Sequence, residues 1–600
     1  MNSKSTFVWF VIAAVLFASI LLVNRFLHPP AASVGNLLPG LQSAAVTAVQ
    51  VIPAGTLEIR ADRKNGTWLL TKPVSYPAQS AAVEALLSAL QKMTPVTRIS
   101  AGEVHQHGTS DSDFGFDPPQ ISLNLSTADQ HWQLLIGNRT APGDQVFVRV
   151  VGVDGAFVTD ATWLKLIPAS ADAWRSTALA AADASTCDTI VLTNGAKIIE
   201  LHRDGANQFW QMTRPLLARA NNARITEALQ NLQSAQAARF VTDDPKADLT
   251  VFGLQPAELD LWLQRGTNLI SALHTGKALT NDAAQVYARR ERWNVVLTTP
   301  AAPLSSWQGT VNDFRDPHLF ELAAPVTVVE VHGAHDFTLQ RTGTNDWTVA
   351  GEKFPVDLDT VNSFIKTLAD MKVAEFFKDV VTAPDLVEYG LATPARQISL
   401  FSAAGDTNAV IARLAFAVQT NGIFVHRADE DFIYAITLED FNRLFGDGSL
   451  FGEGWQFRDR HIWRFDEKDI AQITLRQNGK ILQIVHNGRN KWAVAAGSQG
   501  IINPPAVEET AHRLGELTSP GWVARNVTEP EKFGLGPDKL EITVELKNGE
   551  KYSVAFGTEL PQANTALAAV TLDGERWAFV FPPVLYQFVT SYLAIPAGSP

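Results

Sequence analysis

The 600-residue chain is 46% hydrophobic and 18% charged, a composition that supports a large packed core and excludes a disordered chain. Its 49 Lys and Arg against 62 Asp and Glu leave a net charge of −13, which opposes nonspecific attachment to nucleic acid or anionic lipid. Cys187 is the single cysteine, so an intrachain disulfide framework is excluded.

Residues 7–23, from Phe7 through Trp9 to Val23, carry no charge. A helix of that length spans about 25 Å, at the short end for a hydrocarbon core of about 30 Å. With Trp9 and Arg25 placed to sit at the interfaces, the stretch predicts a single-pass anchor in the inner (cytoplasmic) membrane. A cytoplasmic head at residues 1–6 and a periplasmic bulk follow from that expectation. A cleaved signal peptide is the alternative, with Ala31-Ala32-Ser33 as small residues for cleavage. Residues 24–44, rich in proline and glycine from 28 onward, read as a linker.

Residues 46–51 and 56–60 alternate apolar and polar side chains, which predicts half-buried strands. Asn65-Gly66 signals a turn, and Trp68-Leu69-Leu70 continues a meander until Pro73 and Pro77, where the ladder loses its donors. Val83, Leu86, Leu87 and Leu90 then recur at helical spacing and define one apolar helix face. The same order returns three times. Tryptophans stand at Trp68, Trp210, Trp347 and Trp492, at spacings of 142, 137 and 145 residues. Ile225 and Leu232 follow Trp210 by 15 and 22 residues, as Val507 and Leu514 follow Trp492. Val361, Phe364, Ile365 and Leu368 form the equivalent stripe behind Trp347.

The second half of each unit opens with an aromatic–glycine pair, at Phe114-Gly115, Phe252-Gly253, Tyr389-Gly390 and Phe533-Gly534, with a proline close behind. Glycine there turns the chain through a conformation closed to other residues. Alternating strands follow, including 146–149, 286–289 and 424–427, each carrying an outward arginine at Arg149, Arg289 and Arg427. A short helix closes the first three units before Arg175, Arg315 and Arg458. The fourth unit lacks both arginines, as expected of a terminal repeat. The predicted class is α+β: a transmembrane helix followed by four tandem α+β repeat domains at 45–182, 183–322, 323–465 and 466–600. Trp68, Gly115, Trp210, Gly253, Trp347, Gly390, Trp492 and Gly534 are its repeated structural residues.

One apolar N-terminal span, W-x-L before a helix, and [FY]-G-[LF] before proline together resemble a bacterial envelope family known as domain of unknown function 4340. The resemblance extends over nearly all of residues 45–596. Its motifs are short and structural, and only Trp68 and Leu70 keep the W-x-L spacing strictly. The resemblance implies association with an ABC-type permease and ATPase and with auxiliary subunits of gliding-motility-type transport systems. It brings no catalytic residue.

The most metal-like cluster is His105 and His107 with Asp111 and Asp113, because histidines two apart share one face of a strand. A polar loop leading into Phe114-Gly115 is the plainer reading. His332 and His335 flank a hairpin turn, and Cys187 reads as a structural thiol rather than a nucleophile. The run from Gly534 to Asp538 lacks the lysine of a phosphate loop and reads as a turn. The four tryptophans are expected in cores rather than as ligand-stacking platforms. The repeated arginines either pair with carboxylates between units or present donors to a partner, and pairing is expected. These readings predict neither catalytic residues nor a cofactor or metal. They point to a non-enzymatic, membrane-anchored periplasmic scaffold or binding subunit of an ABC-type transport complex. The alternative is an envelope lipid- or glycan-binding protein, or a hydrolase, with a site between units.

Overall fold

Two alternating stretches far apart in sequence found the first unit. Ala48–Pro53 pairs antiparallel with Ile121–Ser126, setting Val49 opposite Leu125 and Val51 opposite Leu123. All four side chains are buried. From this pair one meander runs outward through Ile59–Lys64, Thr67–Lys72 and Tyr76–Pro77, and a second through His131–Arg139, Gln145–Val150 and Ala156–Asp160. Thr97–Ile99 closes the far edge on Ala156–Asp160, giving a nine-stranded antiparallel sheet. The short strand Tyr76–Pro77 re-enters the ladder beyond Pro73 as the opposite edge, a position where proline is tolerated.

This computed structural model describes residues 35–593, together with Val15, Leu16, Phe17 and Ser19. Within 35–593 it omits 107–109, 182, 204, 206–207, 294, 321, 323, 405–406, 447–448, 450, 490 and 499–500. The same sheet is built three more times. Its founding pairs are Thr189–Asn194 with Leu259–Arg265, Val326–Gly333 with Arg396–Ala404, and Ile470–Gln477 with Glu541–Leu546. The second sheet has nine strands and the third and fourth have eight each. The chain forms two compact units, Met1–Arg315 and Asp316–Pro600, each containing two sheets.

The expected α+β class is corrected: the described chain is mostly β, with four antiparallel sheets. Helical periodicity announces itself over a dozen residues, whereas short alternating stretches carry little signal one by one. Each helix therefore weighs more in the sequence than in the fold. The membrane expectation is also corrected. Among the described residues no helix is long and apolar enough to cross a membrane, which overturns the single-pass anchor and the inner-membrane placement. Of residues 7–23 only Val15, Leu16, Phe17 and Ser19 are described, as helix, and a helix needs about 20 apolar residues to span. Phe7, Trp9 and Val23 lie outside the described residues.

One main helix packs on each sheet: α1 (Ser80–Gln91), α2 (Asn222–Ser234), α3 (Leu358–Asp370) and α4 (Pro504–Gly515). Capping side chains set the starts of the last three: Asn221 accepts from Arg224 N–H at 3.0 Å, Asp357 from Thr360 N–H at 2.7 Å and Asn503 from Ala506 N–H at 3.4 Å. The first buries Val83, Leu86, Leu87 and Leu90, and the third Val361, Phe364 and Leu368. Leu37, Leu38 and Leu41, in the stretch read as linker, also pack into the first core, and Leu37 N–H donates to Met93 O at 2.8 Å.

Three of the aromatic–glycine pairs share a partner, a glycine at a register shift in the neighbouring strand: Gly137, Gly276 and Gly557. Gly115, Gly253, Gly390 and Gly534 are all left-handed, with φ of 73°, 67°, 73° and 66°. At Gly253 a Cβ would lie 2.8 Å from the Lys277 backbone nitrogen, because the turn presses on the bulge where Asn268–Leu279 shifts register against Asp282–Arg290. A Cβ on Gly276 within that bulge would in turn strike the Phe252 carbonyl. Backbone meets backbone here, so neither residue tolerates a side chain. Gly66, also left-handed at 79°, has open space around it. Gly66→Ala should cost about 1 kcal/mol from the left-handed backbone alone. Gly253→Ala adds the collision and should cost about 3 kcal/mol or more. Urea denaturation of the two variants checks the difference.

Candidate functional site: the tryptophan crevice beside each helix

Trp68, Trp210, Trp347 and Trp492 are all buried, as the packing logic expects. Antiparallel register places one side chain opposite each tryptophan on the preceding strand: Arg63, Arg203, Arg341 and His486. The Arg63 guanidinium lies 4.7 Å from the Trp68 ring centre and that of Arg203 lies 4.5 Å from Trp210. His486 stacks flat on Trp492 at 4.2 Å, with an interplanar angle of 5°. Arg341 is held in its turn by the carbonyls of Gly343 and Thr344. A third position completes the group. It directly follows the first buried apolar residue of each helix: Glu84 after Val83, Thr226 after Ile225, Asn362 after Val361, and Glu508 after Val507.

In the first and fourth sheets this position closes the crevice. Glu84 accepts from the Trp68 indole at 2.7 Å and from Arg63 at 2.5 Å. Glu508 accepts from the Trp492 indole at 2.5 Å, with His486 Nε2 at 3.5 Å. In the second and third sheets the carboxylate is absent and the crevice is open. A cavity of about 380 Å³ is lined by Arg203, Trp210, Asn222, Thr226, Gln230 and Gln233. Another, of about 480 Å³, is lined by Arg341, Asn345, Trp347, Leu358, Asn362 and Ile365. Sequence reading singled out the tryptophans and missed their partners. The signal lies in register, which pairs each tryptophan with a cross-strand arginine or histidine.

The closing arginines are structural. Arg175 is 3% exposed, lies 4.7 Å from the Phe240 ring centre, and donates to Asp243 of the second sheet's segment at 2.5 Å. Arg458 is buried, lies 4.7 Å from the Trp577 ring centre, and donates to Asp573 of the fourth at 2.6 Å. Arg315 is buried as well, and donates to Asn312 at 3.2 Å. The strand arginines do not form an outward row. Arg427 is buried and donates to Asp429 and to the Leu319 carbonyl at 2.7 and 3.0 Å, while Arg149 pairs with Asp111 at 2.5 Å. Arg289 lies in Asp282–Arg290 and is half-buried.

That pair also engages one carboxylate of the expected metal cluster, and Asp113 accepts from the Ser110 backbone at 2.6 Å. His105 falls in a short helix, Ala101–Gln106, not a strand. His107 lies outside the described residues. His332 ends a strand and His335 sits in the following turn, 3.7 Å from Glu453. Cys187 is buried, and burial pushes its thiol up to about 11, which keeps it protonated and unreactive near neutrality.

A larger cleft, about 810 Å³, flanks the fourth sheet's helix and is lined by His461, Trp463, Arg464, Phe465, Asp466 and His512. Each histidine is tied to a carboxylate: His461 to Asp459 at 2.8 Å and His512 to Glu467 at 3.0 Å. The Glu467 hydrogen bond raises the His512 pKa above its ordinary value.

The profile of the family described as "Domain of unknown function (DUF4340)" matches three successive stretches, residues 68–208, 210–350 and 347–501. Each match opens on one of the repeated tryptophans, Trp68, Trp210 or Trp347. No curated protein matches the chain. Among solved structures, the crystal structure of the DNA polymerase III subunit beta from Pseudomonas aeruginosa aligns at 9% identity over 67% of this chain and 93% of that one. Its TM-score is 0.10, so the alignment carries no argument.

Two outcomes follow. Asp243→Ala removes the hydrogen-bonded acceptor of a buried guanidinium, leaving only Asp172 at 3.2 Å, and should cost about 3 kcal/mol; Arg175→Met leaves an aspartate that water reaches and should cost less. Thermal unfolding of both variants checks the order. For His512, a folded pKa raised by Glu467 means the contribution to stability is complete below the unfolded pKa and fades as pH rises through the folded one. Histidine NMR titration should place His512 above 6.5, and Glu467→Gln should bring it back down.

Proposed function

The chain belongs to the family described as domain of unknown function (DUF4340), and on that footing we propose that it is a non-enzymatic scaffold or binding subunit. Its partners are the permease, ATPase and auxiliary subunits of an ABC-type transport complex, as the family resemblance implies. The observation that carries the reading is where its buried charge goes. Arg175 and Arg458 leave the end of one sheet's segment and are neutralised on the next, at Asp243 and Asp573. Arg525 bridges Glu575 and Glu352 at 2.8 and 2.6 Å, joining the third and fourth segments in the same way. Such pairs add geometric definition more than net stability. They suit a protein that must hold repeated surfaces in a set relation within each unit.

The alternative of a hydrolase or a lipid or glycan binder has one foothold, the cleft with His461, Asp466 and His512. Histidines already bonded to carboxylates and a mixed polar lining favour it less than the scaffold.

Affinity purification of the full chain from detergent-solubilised native cells should bring down a permease and an ATPase in fixed ratio. Recovery of the chain alone, or a hydrolytic rate that His512→Ala abolishes, would overturn the scaffold reading.

A further inference from the structure

We infer that the open crevices at Trp210 and Trp347 are binding sites for a carboxylate of the glutamyl type, carried on an aliphatic arm. The protein contains its own template for the bound state. In the first sheet Glu84 reaches between Arg63 and the Trp68 indole and bonds to both, and in the fourth Glu508 does so with Trp492 beside His486. The second and third sheets keep the cation and the indole but replace the acid by Thr226 and Asn362. Among the described residues, what remains at Trp210 is a cation and an indole N–H with no carboxylate between them; at Trp347 the cation, Arg341, also donates to the Gly343 and Thr344 carbonyls.

Three observations make this a site rather than a solvated surface. Trp210 and Trp347 are buried although the crevices beside them are open, so their indoles are held in place before any ligand arrives. Among the described residues the Arg203 guanidinium forms neither an ion pair nor a side-chain hydrogen bond, whereas Arg63 also donates to Ala44 and Ser43 carbonyls. The cavities, about 380 and 480 Å³, exceed a single glutamate side chain and fall in the range of small-ligand sites, roughly 300–1,000 Å³.

The linings then divide the two sites by what accompanies the carboxylate. The crevice at Trp210 adds Gln230 and Gln233, which can pair with amides. The crevice at Trp347 adds Leu358 and Ile365 and favours an apolar arm. A carboxylate is preferred over a neutral amide because arginine offers only donors and an indole only one donor. Charge-assisted bonds of this kind are about twice as strong as neutral ones.

This goes beyond the scaffold reading and stands without it, since the test uses the purified full chain and no transport partner. The probe is N-acetylglutamate N-methylamide, with the glutamine analogue as its neutral isostere. The readout is the indole N–H resonances of ¹⁵N-tryptophan-labelled protein, assigned with Trp210→Phe and Trp347→Phe. The indoles of Trp210 and Trp347 should shift saturably, and the neutral analogue should bind roughly tenfold more weakly or worse. Arg203→Gln should abolish the Trp210 response and leave that of Trp347 intact. Thr226→Glu should occupy its own crevice and likewise abolish the Trp210 response. Trp68 and Trp492 should stay silent, because Glu84 and Glu508 already fill their sites. Free glutarate as a second probe, and a Glu-containing pentapeptide as a third, distinguish a small carboxylate from an acidic protein segment. Equal shifts with acid and amide, shifts at all four indoles alike, or none at tens of millimolar would each overturn the assignment.

Discussion

The fold depends on one pairing made four times: a strand near the start of each segment against another about seventy residues later. Val49 opposite Leu125, and Ile190 opposite Leu263 in the second copy, join two local meanders into one sheet. Without that contact each meander is a small antiparallel piece with an exposed edge, which is only marginally stable by itself. With it, the sheet is broad enough for one helix to cover its core. Closing so long a loop costs entropy that only burial of the paired apolar rows can offset.

The position of the tryptophan follows from that geometry. Each sits two strands out from the founding pair, under the start of the helix, where an indole fills the space between sheet and helix. Its N–H faces the rim and needs an acceptor. Two of the four repeats supply one from the helix itself, as Glu84 and Glu508. In the other two the same scaffold leaves a crevice. A repeat that keeps its packing while changing one rim residue can turn a structural ion pair into an open site.

Charge is used differently at the segment ends. Arg175 and Arg458 are buried against aromatic rings and reach carboxylates outside their own sheets. A guanidinium tolerates this because it is weakly hydrated and stacks on ring faces. The fourth segment lacks the closing arginine and carries the helix Pro583–Tyr592 instead.

The sequence by itself determined the repeat, the helix faces and the glycine turns. Tryptophan spacing, the Val83–Leu90 periodicity and the left-handed demand at Gly253 are local properties, written in neighbouring residues. It also marked Cys187 as inert and the closing arginines as pairing groups. It misjudged the class, because a helix twelve residues long is conspicuous while eight or nine short strands are not. It misread Arg427 as outward, and it read the stretch around His105 as a polar loop where a short helix forms, since the period of a short stretch is ambiguous. Which acid faces which cation was decided only by tertiary structure. Arg63 and Glu84 are twenty-one residues apart, and Arg458 and Asp573 more than a hundred. Their meeting depends on strand register and on the helix lying over the sheet, and no spacing along the chain encodes that.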